Sequence, residues 1–307
     1  MIDYLLHYHI FIETNVLVLG LIVGSFLNVC ISRWPAEQSV VRPRSRCPKC
    51  QNLIVWFDNI PVLSWLFLRA KCRHCSQKIS WIYPGVELLT GLAFVGMWKA
   101  LLLVVQEVEE PLENQAVLAI LLTGLFLVAI SIVVIFVDAK HFEIPDEISL
   151  NMMPVGPLLC LFFPSVMAET LYFNMHGYDA VSSQVYCLDW LQALLMSIGG
   201  VIAGGGILYL LAIGGEALLK KEAMGFGDIK LLAMLGGFLG IEGVIITLVL
   251  ACCLGSVYGI IALIITRSNK LPFGPWIVMA ALMVYVWKYD ILEFTIGLMN
   301  LLNARTG

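Results

Sequence analysis

Four cysteines stand in two CxxC pairs, Cys47-Pro-Lys-Cys50 and Cys72-Arg-His-Cys75, with 21 residues between the pairs. A CxxC turn can place two thiolates on one ion, and two such turns complete a tetrahedral shell. Thiolate ligands suit zinc, the spacing is close to the zinc pattern, and no redox role is required. The competing readings are two redox pairs or unligated surface thiols. Four sulfur ligands leave no open position for water, so the expected zinc is structural rather than catalytic. His74 lies inside the second pair, but the shell is full without it. Lys49, Lys71 and Arg73 offset part of the charge of four thiolates.

Two aspartates form the second constellation. Asp138 ends the apolar run SIVVIFV, and Asp228 follows Gly225-Phe226-Gly227. Each falls at the expected edge of a membrane span, where an ionisable group is costly unless it faces protein or water. A lone carboxylate there reads equally well as a solvated interface residue. Two that face each other cannot both ionise easily, so one holds a proton and the other does not. Such a pair activates a water and protonates a leaving amine, and it titrates as a dyad. Glycines beside Asp228 allow a peptide backbone to approach closely. Asp146 competes for the dyad role, but it follows Pro145 and suits the first turn of a helix, where a carboxylate complements the dipole. Glu143 and His141 share that polar turn and read as solvated loop residues.

These residues need a frame, and composition supplies its class. Of 307 residues 60% are hydrophobic and only 13% charged, against about 25% charged in soluble chains. Mean hydropathy is +0.90. That excludes an ordinary soluble enzyme, a disordered tail and a nucleic-acid binder. The expectation is an all-α polytopic membrane protein. Apolar runs at about 10–31, 81–105, 115–137, 148–167, 189–215, 229–241, 243–266 and 275–296 give about eight spans. The run at 229–241 is short, carries Gly236, Gly237 and Gly240, and reads as a broken helix. No internal repeat is evident. The first run lacks a signal-peptide pattern and reads as a retained helix. The expected organisation is a first helix at 1–31, a metal-binding insert at 32–80 and a membrane core at 81–307. Nine cysteines, an odd count with several in apolar runs, argue against a secreted disulfide framework.

Smaller marks join the frame. Asn28, in Gly24-Ser25-Phe26-Leu27-Asn28, is expected to bond to another helix that small neighbours let approach. Glu87 near a membrane entry needs a partner. Leu271-Pro272-Phe273-Gly274-Pro275 reads as a rigid turn into the last span. Nine of the eighteen Lys and Arg lie in the insert, and Lys140, Lys220, Lys221, Lys230, Arg267 and Lys270 fall in alternate later connections. By the positive-inside rule the insert is cytoplasmic, with both termini outside.

Taken together, GSFLNVCISRWP, the two CxxC pairs, DNIPVLSWL between them, YPGVELLT, DAKHFEIPDEIS, MGFGDIKLLAMLGG and PFGP resemble the bacterial prepilin peptidases. The likeness runs from about 20 to 280. It implies a membrane aspartic endopeptidase of the inner membrane that cuts a basic leader from type IV prepilins or type II secretion pseudopilins, on the cytoplasmic side after a glycine. It also implies methylation of the new N-terminal residue with S-adenosylmethionine. The family's catalytic aspartates map onto Asp138 and Asp228, and its cysteine tetrad onto Cys47, Cys50, Cys72 and Cys75. Two positions depart. The Gly-Lys often found before the third cysteine is Ala70-Lys71, in the cytoplasmic region to which the family's methylation is tied, and a glycine often found near GxGD is Ala223.

Other classes remain open at the level of sequence. A transporter also uses intramembrane carboxylates and broken helices, though these two aspartates sit at an edge rather than at mid-bilayer. A zinc-organised scaffold would leave both replaceable. A presenilin- or preflagellin-type GxGD protease is the nearer rival, and the cysteine insert favours the prepilin group over it. The charge pattern generates a first prediction: a compartment reporter fused at Glu110 reads outside the cytoplasm, and a cytoplasmic signal there overturns the topology.

Overall fold

The computed structural model describes residues 9–106, 114–166, 190–219, 225–266 and 272–306. The acidic connection around Glu110, the loop at 168–188, and Lys220, Lys221, Ala223, Arg267 and Lys270 lie outside the described residues. Among the described residues the regular elements are helices, and the only β-pairing is two isolated bridges inside the insert. In chain order they are α1 (His9–Arg33), the short α2 (Leu63–Phe67), α3 (Ile82–Gln106) and α4 (Asn114–His141). There follow α5 (Asp146–Ser149), α6 (Val155–Phe162), α7 (Trp190–Leu219), α8 (Phe226–Thr266) and α9 (Gly274–Thr306). Five of them, α1, α3, α4, α7 and α8, are long and apolar enough to cross a membrane, and a shorter apolar stretch, Gly274–Lys288, opens α9. This is a polytopic all-α membrane protein.

The expected runs at 10–31, 81–105, 115–137 and 189–215 each become one helix with ends shifted by a few residues. Two places differ. The run at 148–167 is not one helix but α5, α6 and a 3₁₀ turn at Pro164–Val166. Pro154, Pro157 and Pro164 lack the N–H donors that a continuous helix there would need. The runs at 229–241 and 243–266 are joined in α8, but Gly240 breaks the helix between them with φ 68° and ψ −177°. Only glycine adopts that conformation freely.

The chain divides into two compact units, one of residues up to Ala100 with Gly124–Pro145, the other of Leu101–Thr123 with Asp146 onward. In the first unit α1 and α3 cross at glycines. A Cβ on Gly20 would lie 2.7 Å from the Gly91 Cα, and one on Gly24 would lie 2.7 Å from the Glu87 Cα. One turn further, Asn28 Nδ2 donates to the Tyr83 carbonyl at 3.0 Å. The pairs 20–91, 24–87 and 28–83 step by four residues in opposite senses, as antiparallel helices require. Small residues bring the backbones close enough for the buried amide to find its carbonyl, which fulfils the expectation for Asn28.

The second unit repeats the device. Gly200 and Gly204 of α7 pack on the α8 backbone at Gly236 and Leu232, with no room for a side chain. Gly156 of α6 meets Gly237, and the Ser197 hydroxyl donates to the Gly237 carbonyl at 2.6 Å. Residues Leu231 to Leu239 are consequently buried throughout. The stretch before Gly240 rises only about 21 Å, too short for a hydrocarbon core of about 30 Å, and it is clad in protein instead. These contacts predict opposite outcomes for two glycines of one helix. Gly200→Val forces the seam apart and costs about 1–3 kcal/mol. Gly206→Ala, where an added Cβ meets nothing within 4 Å, is neutral or stabilising by up to about 1 kcal/mol. Thermal unfolding of both variants in one detergent checks this.

Candidate functional site

The insert is built from two copies of one turn. In the first, Ile54 N donates to Ser45 O at 2.9 Å, Arg46 bridges Leu53, Cys47 N donates to Asn52 O at 3.0 Å, and Gln51 N returns to Cys47 O at 2.9 Å. In the second, Ile79 N donates to Ala70 O at 2.7 Å, Lys71 bridges Lys78, Cys72 N donates to Gln77 O at 2.8 Å, and Ser76 N returns to Cys72 O at 2.9 Å. Gln51 and Ser76, each four residues after its first cysteine, both have positive φ, at 58° and 55°. The sequence showed no repeat because the equivalence is carried by backbone bonds, with only the cysteines and the closing Ile54 and Ile79 in common.

The two turns bring the sulfurs of Cys47, Cys50, Cys72 and Cys75 within 4.8 Å of one another. Cys47 Sγ and Cys75 Sγ are 3.8 Å apart. A tetrahedral shell with Zn–S of about 2.3 Å requires S···S separations of about 3.8 Å, so the group fits zinc. The electrostatics agree. Backbone N–H groups of Cys50 and Lys49 aim at Cys47 and bring its thiol down to about 6. Those of Cys75 and His74 lower Cys72. Cys75 receives an N–H from Gln77, yet desolvation and the neighbouring Cys72, Cys50 and Cys47 sulfurs push it up to about 11. Four thiols that crowd one another in this way are relieved by a dication.

Side chains tie the insert together and to the membrane helices of its own unit. Arg73, between the last two cysteines, grips Asp58 with Nε at 2.8 Å and Nη2 at 2.5 Å and lies over the Phe57 ring. That bidentate bond, with the Arg73 charge, holds the Asp58 carboxyl below its usual range. Glu87 of α3 accepts from Val62 N at 2.7 Å. Val62 is the residue before α2 and has φ 59°, a conformation that β-branched residues avoid. Glu87 thus finds partners in the insert's own backbone and in the Ser25 side chain of α1. Arg33, ending α1, donates to the carbonyls of Ser39 and Pro43, each at 2.8 Å. Ala70 has φ 58°, the left-handed conformation glycine adopts without cost. Alanine at this position keeps the same turn at about 1–2 kcal/mol of strain.

The aspartates sit at two helix ends. Asp138 is in the last turn of α4 and is buried, with 5% of its surface exposed. Its carbonyl accepts from Phe142 N at 2.9 Å, which closes the helix. Asp228 is in the first turn of α8, half-buried, with its N–H donating to Gly225 O at 3.2 Å. Asp138 belongs to the first unit and Asp228 to the second. Asp146 opens α5, as expected, and forms an ion pair with Lys230, which also lies over the Phe226 ring. The sequence reading missed Lys230 as its partner, 84 residues away. It also missed Lys288, buried in α9 and paired with Glu242 at 3.1 Å. His74, His141 and Glu143 are exposed. Pro272-Phe273-Gly274-Pro275 starts α9, with Phe273 O accepting from Trp276 N at 3.0 Å and Ile277 N at 3.2 Å.

Known proteins are similar to this chain in sequence. The family model described as the bacterial peptidase A24 N-terminal domain matches residues 18–101, and that of the type IV leader peptidase family matches 125–260. A prepilin leader peptidase/N-methyltransferase of Myxococcus xanthus is 37% identical over 249 residues, 81% of this chain and 62% of the relative's length. One from Aeromonas salmonicida is 33% identical over 302 residues, 89% of each chain. A type 4 prepilin-like proteins leader peptide-processing enzyme of Escherichia coli is 32% identical, over 83% of this chain and 87% of its own. No solved structure matches. The tetrad's geometry predicts one zinc per chain. Cys47→Ser and Cys72→Ser each lose it, measured by metal analysis of the purified protein, and proteolysis then opens the 34–80 segment first. Full zinc retention in both variants contradicts the site.

Proposed function

The chain belongs to the type IV leader peptidase family, and from that premise we propose that it is a membrane-embedded aspartic endopeptidase acting on prepilins or pseudopilins. It removes the basic leader on the cytoplasmic side, after a glycine. As the names of its relatives suggest, it also methylates the new N-terminus, with S-adenosylmethionine as donor. The observation that carries the reading is the placement of Asp138 and Asp228. Asp138 is at the end of the membrane-length α4 and Asp228 at the start of the short stretch that opens α8, and both fall within residues that the peptidase family model matches.

In this mechanism the two carboxylates share one water and one proton. The helix ends differ in polarity: α4 presents its carbonyl end beside Asp138, and α8 its N–H end beside Asp228. That asymmetry assigns the base role to Asp228 and the acid role to Asp138. Asp228 takes a proton from water as the oxygen attacks the scissile carbonyl. Asp138 gives its proton to the amide nitrogen, the C–N bond breaks, and the products are a leader carboxylate and a new amine. The substrate's apolar helix lies in the bilayer, and its basic leader stays in the cytoplasm. Zinc on Cys47, Cys50, Cys72 and Cys75 supplies no chemistry. It fixes the insert of about 32–80 internally, and 81–307 forms the membrane core.

Expected outcomes follow for cleavage of a prepilin by purified protein in lipid. Asp138→Asn and Asp228→Asn each abolish cleavage, by at least about a hundredfold, while zinc content and helicity stay at the wild-type level. Cleavage retained in both variants removes the dyad and moves the reading to a scaffold.

A further inference from the structure

We propose that the groove between α1 and the metal insert binds an anionic phospholipid. The groove encloses about 880 Å³, within the range of about 300–1,000 Å³ usual for ligand sites. Its floor is the face of α1 from Val18 to Arg33, a length of about 22 Å, deeper than the roughly 15 Å of one hydrocarbon leaflet. Its other wall is insert, including Val41, Arg44 and Trp56. The groove therefore starts among polar residues and runs into the membrane, as a lipid does.

Charge decides the occupant. The lining holds Arg33 and Arg44 and no carboxylate. Arg33 is held in place by the Ser39 and Pro43 carbonyls, so its charge is fixed at the mouth. Arg44 is exposed, between the equally exposed Arg42 and Arg46. Beside them Val41 is 78% and Trp56 76% exposed, apolar surface for which water is a poor partner. An anion with a long apolar tail satisfies both halves at once. S-adenosylmethionine, with a sulfonium, an ammonium and one carboxylate, is net positive and is opposed by the same arginines, and a basic leader peptide is opposed likewise. The inference is independent of the peptidase reading. It gives the insert a direct fastening to the bilayer besides its bonds to Glu87 and Arg33.

The test is native mass spectrometry of the full, zinc-loaded chain, released from detergent holding equal phosphatidylglycerol and phosphatidylcholine with the same acyl chains. Preferential retention of one phosphatidylglycerol is expected. Arg44→Gln lowers that retention about fivefold, the effect of one basic residue at an anionic headgroup. Val41→Asp, which places a carboxylate at an exposed point of the mouth, lowers it as well. Lys78→Gln, the same charge change away from the groove, leaves it unchanged. Equal retention of the two lipids overturns the proposal, as does equal loss in Arg44→Gln and Lys78→Gln. So does displacement of the lipid by S-adenosylmethionine or by a synthetic leader peptide.

Discussion

The backbone contact of Gly200 with Gly236 holds in place a helical stretch too short to cross a bilayer, and Asp228 sits at the start of that stretch. In hydrocarbon a short helix ending at an irregular residue leaves carbonyls without partners. Here the break at Gly240 lies next to residues that are buried throughout. Burial without large side chains between the helices requires glycine on both faces of the seam, and α6, α7 and α8 all supply it. A half-helix clad in protein fixes its N-terminal end, and the Asp228 backbone is fixed with it.

The insert solves a different problem. It has few apolar residues that could make a core, and several of its large ones, Trp56 and Phe67 among them, are exposed. Ordering such a segment costs about 1–2 kcal/mol of backbone entropy per residue. Four thiolates on one metal can offset that where packing cannot. The metal fixes the insert internally, whereas its position over α1 and α3 depends on Glu87, Arg33 and the glycine crossing at Gly20 and Gly24. Gly24 lets Glu87 approach α1, and Glu87 in turn holds the strained Val62 turn, so the two sequence motifs that contain them act as one joint.

Much of this was legible in the residues. The cysteine spacing foretold the cluster, and hydropathy placed four helices to within a few residues. An amide in an apolar run foretold the Asn28 bond. What was not legible shares a cause: the information sits in backbone groups or in distant partners. Glu87 bonds to an N–H, which any residue type at position 62 except proline would offer. Lys230 finds Asp146 across the second unit. Of Gly236, Gly237 and Gly240, two serve close packing and one breaks the helix, and composition alone does not distinguish them. The run at 148–167 is apolar enough for a span, but its prolines split it.

The central claim is that Asp138 and Asp228 come together around one water. The most direct measurement is oxidative cross-linking of a chain carrying both Asp138→Cys and Asp228→Cys, read by peptide mapping. Sulfurs at two such positions join only when the Cα atoms approach within about 7 Å. The account predicts a peptide linking positions 138 and 228 in the double variant, at high yield in lipid and suppressed by a bound prepilin. Alkylation of both positions in the folded, zinc-loaded protein, with no linked peptide under any oxidant, would contradict it.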